Sequence, residues 1–207
     1  MQVSLQEPVL QHPRNDLNAM ANKTPDVIII RGAPGSGKSS AAKCLARHFP
    51  EGVRMEVDKL RSMVISVEWK SQTEHINMLA LSAGVVVDFL HLNYKPVIVV
   101  DTFSGDKVVN FVADLLRLDS EIGIRSFALI TDSGELMRRI RERPEDQFKD
   151  ISICLEQNAD ITKHLQPFEQ IVDNTKLTPE ETATRILETL SGKPAPPDTR
   201  PNDDSLL

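Results

Sequence analysis

The chain has 207 residues, 40% of them hydrophobic, which is enough for one sizeable core and argues for one domain instead of two. Twenty-four Lys and Arg against 30 Asp and Glu leave a formal net charge of −6, so no global attraction for phosphate backbones exists and nucleic acid is a possible but not a favoured partner. No apolar run of signal-peptide length opens the chain and none offers the ~20 residues a membrane span needs, so a cytoplasmic protein without membrane contact is expected.

The first 25 residues lack hydrophobic periodicity and read as a flexible N-terminal segment. Folding begins with "VIII" (27–30), a β-branched run of the kind found in a strand covered on both faces. It runs directly into Gly32-Ala33-Pro34-Gly35-Ser36-Gly37-Lys38-Ser39-Ser40, a full match to G-x-x-x-x-G-K-[ST] placed between a strand and a helix predicted over 38–48. Glycines let the backbone turn its N–H groups into one concavity, and the following helix adds its positive end there. The residues Gly32 to Ser40 are therefore expected to cradle the phosphates of ATP. Lys38 reaches the β- and γ-phosphates, and the Ser39 hydroxyl is expected to bind Mg²⁺.

A second strand, "VRMEV" (53–57), leads to Asp58, at the strand edge where open α/β proteins bind ligands. Two readings of Asp58 stand: general base toward an attacking hydroxyl, or N-cap of a helix predicted over 59–66. Arg61, one turn on, is a candidate to hold an anionic group of the same substrate. Trp69 falls in a turn before the next predicted helix, 71–92. The third strand, "PVIVV" (96–100), ends in Asp101, the form of a Walker B carboxylate that orients Mg²⁺, with a cap for the helix at 104–118 as the alternative.

After "SFALI" (126–130) comes a helix at 133–143 with four arginines. If Leu136 and Ile140 mark its buried face, Arg138 and Arg141 point to solvent, while Arg139 and Arg143 flank the apolar stripe. Those two are the candidates to neutralise charge on a transferred γ-phosphoryl group. A helix at 150–165, a fifth strand "EQIVD" (169–173) and a helix at 179–190 complete the order; "TPEE" marks the last with Thr178 as N-cap, Pro179 first in the helix and Glu181 closing a capping box. Cys44 and Cys154 sit in predicted helices outside any ligand pattern and are expected as buried free thiols. The Pro-rich, acidic residues 192–207 read as a disordered tail, leaving 26–191 as the folded domain.

Alternating strands and helices predict an α/β protein with a parallel sheet. In "GAPGSGKSS", "VDKLR", "VIVVDTF", "RIRER" and "IVDNTKLTPEETATRIL", in this order, the chain resembles the P-loop kinases that include polynucleotide 5′-hydroxyl kinases, zeta-toxin-like kinases and chloramphenicol phosphotransferase. The resemblance implies a three-layer P-loop NTPase fold, a five-stranded parallel sheet of order 2-3-1-4-5 with a helical lid. It implies Asp58 as general base, Arg139 and Arg143 as lid residues, and Arg61 in the place where polynucleotide kinases hold a nucleic-acid phosphate. An ATP- and Mg²⁺-dependent kinase of a hydroxyl group on a small-molecule or nucleic-acid-like substrate is the expected activity; a nucleotide-driven switch or ATPase acting on a protein partner is the alternative. A GTPase would carry an N-K-x-D element near the last strands, and "ALITDSG" and "IVDNTKLT" lack it.

Overall fold

The computed structural model describes residues 24–145 and 147–192. The sequence readings of the N-terminal segment and of the C-terminal tail beyond Gly192 lie outside them. Among the described residues, five parallel strands form one sheet in the order β2-β3-β1-β4-β5: β1 (Val27–Gly32), β2 (Val53–Glu56), β3 (Val97–Asp101), β4 (Ile124–Ile130) and β5 (Glu169–Asp173). This is the order that the resemblance implies.

Among the described residues seven helices cross over between the strands or follow them: α1 (Lys38–Ala46), α2 (Val57–Arg61), α3 (Gln72–His91), α4 (Lys107–Leu118), α5 (Ser133–Arg141), α6 (Ile151–Lys163) and α7 (Pro179–Leu190). Val27, Ile28, Ile29 and Ile30 are fully buried because the two sheet faces carry separate cores. Val27 and Ile29 pack with Val97 and Val99 under α3 and α4, while Ile28 and Ile30 pack with Ile98, Phe127 and Leu129 under α1 and α7. Burying such a side chain contributes about 1.5–3 kcal/mol, so the central strand is held by apolar contact on both sides. A third, smaller cluster joins Ala33 to Leu136 and Ile140 of α5 and to Cys154 and Ile161 of α6. It is the cushion on which the glycine loop rests. Both cysteines are free and buried, as expected.

Helix starts follow their side-chain caps. Thr178 accepts from the Glu181 N–H and Glu181 answers at the Thr178 N–H, completing the anticipated capping box of α7. Ser71, Asp132 and Asp150 cap α3, α5 and α6 in the same way. Several boundaries differ from the sequence reading by one to five residues, as where α4 starts at Lys107 in place of 104, and those of α2 and α5 bear on the site. Helix α2 begins at Val57 and ends at Arg61, two residues early and five short of the expected span, because its N-cap is Glu56 in an extended conformation. Helix α5 ends at Arg141, so Arg143 lies beyond the helix. Among the described residues no helix is long and apolar enough to cross a membrane.

The order 2-3-1-4-5 makes the chain leave β1 toward opposite sides, and ligands of open α/β sheets sit at such a reversal, outside the carboxyl ends of the strands. Arg31 pairs in register with Asp101, which sets the glycine loop after β1 beside the end of β3.

Candidate active site

Gly35 and Gly37 carry the turn after β1 with φ of 96° and 88°, values that side-chain-bearing residues rarely adopt. A Cβ on Gly35 would also stand 2.9 Å from both Leu136 and Ile140, so the loop lies directly on α5. Gly37 is the N-cap of α1 and contributes no side chain, which leaves the first N–H groups of that helix for a ligand. The Ser36 carbonyl is anchored from the far side by Asn174 Nδ2 at 2.6 Å and Arg139 Nη1 at 3.3 Å. Ala33, Gly35 and Ser36 are buried, Pro34, Lys38 and Ser39 half-buried, and Ser40 is exposed.

Lys38, Asp58 and Asp101 come together above the sheet from three separate elements. Burial lowers the Lys38 ammonium below its ordinary pKa despite the opposing pull of Asp101 and Asp58, with Arg143 pushing the same way as burial. Burial and the neighbouring Asp101 raise the Asp58 carboxyl above the usual aspartate range, against Lys38, His75 and Arg61. The residue as a whole is exposed. Asp58 is the second residue of α2 and accepts no side-chain hydrogen bond from the described residues, so it does not cap the helix. Asp101 belongs to β3, and α4 starts only at Lys107 with Asp106 at its N-cap, which disposes of a capping role there too.

Asp101 is buried, and its Oδ2 accepts from the Phe103 N–H at 2.9 Å and meets His75 Nε2 at 3.1 Å. Phe103 has φ 46° without being glycine. Such strain persists only where the surroundings over-determine it. Here the Phe103 N–H is fixed by Asp101, its carbonyl accepts from Arg31 at 2.9 Å, and its ring packs on Phe111. Arg31 itself is fully buried and paired with Glu169 at 2.7 Å.

Ser39 donates its hydroxyl to Glu56 Oε2 at 3.1 Å. Burial would raise the Glu56 carboxyl, but Arg54, Ser39 and Lys59 outweigh it and hold it below the usual range. Among the described residues no group of three His, Cys, Asp or Glu side chains forms a metal cage. Oxygen donors on Ser39, Glu56 and Asp101 beside a phosphate nest nevertheless suit Mg²⁺, which keeps several waters and shares its shell with substrate phosphates.

Leu136 and Ile140 are fully buried, Arg138 and Arg141 exposed and Arg139 half-buried, as helical sorting expects; Arg143, past the end of α5, is half-buried too. Arg139 makes an ion pair with Glu135 at 2.7 Å and donates to the Asn174 and Thr175 carbonyls at 2.8 and 3.1 Å. It therefore ties α5 to the segment after β5. Arg143 donates to the Phe148 carbonyl at 2.8 Å. Arg139 and Arg143, with Arg138 at its border, line a cavity of about 710 Å³ that opens beside the glycine loop next to Ser40, Thr175 and Thr178.

Arg61 corrects the sequence reading in its placement. Only 4% exposed, it pairs with Glu74 at 2.9 Å, donates to the Glu68 and Ser71 carbonyls, and lies 5.1 Å from the Trp69 ring centroid. Its guanidinium braces the segment between α2 and α3 and does not face outward for a substrate anion. Four further residues at the site escaped sequence reasoning. Glu56 was legible as the partner of Asp58 in E-x-D at a strand end; His75, Lys107 and Asn174 carry no local signal, since only the fold brings them there.

A glycine loop on the switch point of a 2-3-1-4-5 sheet, with a carboxylate closing the adjacent strand, defines a P-loop kinase fold. A family described as AAA domain matches residues 27–168, most of the chain, and the protein belongs to that family. Among solved structures, a gluconokinase from Sinorhizobium meliloti 1021 is 18% identical over 82% of this chain and 94% of its own, with a TM-score of 0.59. The tunicamycin resistance protein of Deinococcus radiodurans is 20% identical over 84% and 100%, TM-score 0.58. The shikimate kinase of Acinetobacter baumannii, in complex with shikimate, is 12% identical over 84% and 97%, TM-score 0.58. At these identities the likeness is one of fold. Curated proteins give no match to the sequence.

Proposed function

We propose that the protein is an ATP-dependent kinase that transfers the γ-phosphoryl group to a hydroxyl of a small molecule. The observation that carries this reading is the meeting of Lys38, Asp58 and Asp101 at the phosphate loop, with the Asp58 carboxylate unpartnered among the described residues and raised above the usual aspartate range. The triphosphate lies along residues 32–40, and the nucleoside occupies the cavity between Arg139, Arg143 and the segment after β5. Lys38 holds the β- and γ-phosphates. Ser39 and Asp101, with Glu56 behind Ser39, would hold Mg²⁺, which when bound neutralises charge shared by the two phosphates.

Asp58 takes the proton of the acceptor hydroxyl as its oxygen forms a bond to Pγ; the bond from Pγ to the bridging oxygen breaks and ADP leaves. Arg143, close enough to Lys38 to affect its charge, serves the transferred group, while Arg139 serves the nucleoside side. The enclosed Arg61 supports an acceptor without a phosphate of its own, hence a small alcohol in preference to nucleic acid. Two structural neighbours carry the names gluconokinase and shikimate kinase, which agrees with that class. The arginines on its own α5 and just beyond it favour this reading over an ATPase that depends on a partner's arginine.

The test is transfer from γ-labelled ATP to a panel of nucleosides, sugars, aminoglycoside-like alcohols and 5′-hydroxyl oligonucleotides. Labelled product from a small alcohol, abolished by Asp58→Asn, is expected. ATP hydrolysis that only a protein partner stimulates, with no transfer, overturns the proposal.

A further inference from the structure

Asp101 is gripped on one side only. Its Oδ2 takes the Phe103 N–H and faces His75 Nε2, whereas its Oδ1 accepts nothing from the described residues. The other nitrogen of His75, Nδ1, lies 3.3 Å from Lys107 Nζ, which also reaches Gln72 Oε1 at 2.8 Å and Ser104 Oγ at 3.1 Å. An ammonium has three N–H groups and no lone pair, so Nδ1 must be the acceptor in that contact. The imidazole is then neutral with its proton on Nε2, donated to Asp101. Three donors on Lys107 meet three acceptors, and the chain of hydrogen bonds has one direction, from Lys107 through His75 to Asp101.

Resting on the kinase reading above, we propose that His75 and Lys107 are positioning residues for Asp101. Lys107 fixes the imidazole tautomer, the imidazole holds Oδ2, and Oδ1 is thereby presented to the phosphate and metal side of the cleft. Metal-site carboxylates are commonly oriented by such outer partners, and losing one typically costs 10–100-fold in metal affinity or activity. Asp160 and Arg61 are the other charged groups that act on Lys107 besides Asp101, and each has its own partners: Asp160 accepts the Gly105 N–H at 2.6 Å and faces His164, and Arg61 pairs with Glu74. Neither competes for the ring.

Two measurements test the proposal. In metal-free, nucleotide-free, ¹⁵N-labelled full-length protein, the imidazole resonances of His75, identified by their loss in His75→Gln, should show the neutral form protonated at Nε2; Lys107→Met should turn this into a mixture of tautomers. The Mg²⁺ dependence of binding a non-hydrolysable ATP analogue should shift about 10–100-fold in His75→Leu and stay within about threefold of the parent in His75→Gln, whose amide replaces the Nε2–H donor. If His75→Leu melts too low to assay, Lys107→Met and His75→Gln give the same contrast. A parent ring protonated at Nδ1, or parent-like Mg²⁺ dependence in His75→Leu, overturns the relay. A parent that binds the analogue without regard to Mg²⁺ overturns the kinase reading instead, while the metal-free spectrum still decides the tautomer.

Discussion

Arg138 and Arg139 are neighbours of the same chemistry, and their contrasting contacts make replacing each by methionine a sharp trial of the site. Arg139, 20% exposed in its side chain, holds the Asn174 and Thr175 carbonyls, touches the Ser36 carbonyl and pairs with Glu135. Hydrogen bonds to charged groups contribute about 1.5–3 kcal/mol each. The Ser36 and Asn174 carbonyls keep other donors, Asn174 Nδ2 and the Leu177 N–H, so the four contacts do not sum. We expect Arg139→Met to cost about 3 kcal/mol, roughly 6–12 °C in Tm for a domain of this size. Arg138, 56% exposed, pairs among the described residues with Glu135 and Glu142 on its own helix, and exposed pairs of this kind contribute little. Arg138→Met should therefore move Tm by about 2 °C or less. Calorimetric melting gives the first readout and ATP binding the second: affinity should fall much further in Arg139→Met than in Arg138→Met, whose exposed side chain only borders the same cavity. Equal losses in the two variants would reduce the arginines to a generic basic surface and refute the assignment of Arg139 to the nucleoside side.

Asp58→Asn should slow transfer by about 10²–10⁴, or ~2.7–5.4 kcal/mol of barrier, with ATP binding retained. Its folded carboxyl lies above the ordinary value of 3.8, so the folded state binds the proton more tightly than the unfolded chain and stability falls as pH rises through that folded value. Asp58→Asn should consequently melt higher than the parent at pH 7, with the gain vanishing below about pH 3.8; a lower Tm at pH 7 would refute the desolvation argument. Lys38→Met removes a charge-assisted phosphate contact and should weaken Mg·ATP binding by about 10- to 150-fold, measured by calorimetry, with the fold kept. Arg31→Met leaves Glu169 buried without its cation and should destabilise by about 3–5 kcal/mol in denaturant unfolding, part of which Arg31→Met with Glu169→Gln recovers.

The fold was legible because each of its elements carries a local cause: β-branched runs for the strands, glycines for the loop, Thr178, Pro179 and Glu181 for α7. The arginine sorting was legible for the same reason, since Leu136 and Ile140 sit one turn apart on a single helix. Failure began where partners are distant in sequence. His75 and Asp101 stand 26 residues apart, and Asn174 and Ser36 stand 138 apart, so no spacing rule could join them. The α2 boundary differs because Asp58, a good cap by type, places the expected helix start after it, whereas the extended Glu56 sets the start at Val57.

Arg61 is the instructive case, because its spacing to Asp58 is right and its direction is not. A guanidinium 4% exposed has to find its anion and acceptors within the chain, and Glu74, two carbonyls and the Trp69 face supply them. The Glu74 carboxyl is held below its usual range first by the bond from Arg61, then by the Glu68 N–H, so the pair is mutually committed. A substrate phosphate that recruited Arg61 would strand Glu74 and release the segment between α2 and α3, whose Met63, Ile65 and Trp69 are exposed beside the acceptor side. On the proposed kinase reading, the phosphate end of the site is built from backbone and strand ends, whereas the acceptor end borders a loop that Arg61 holds through Glu74, two carbonyls and the Trp69 ring. Acceptor choice in this protein is expected to follow from that loop, and exchanging residues 62–71 should change which alcohol is phosphorylated while leaving ATP affinity where it was.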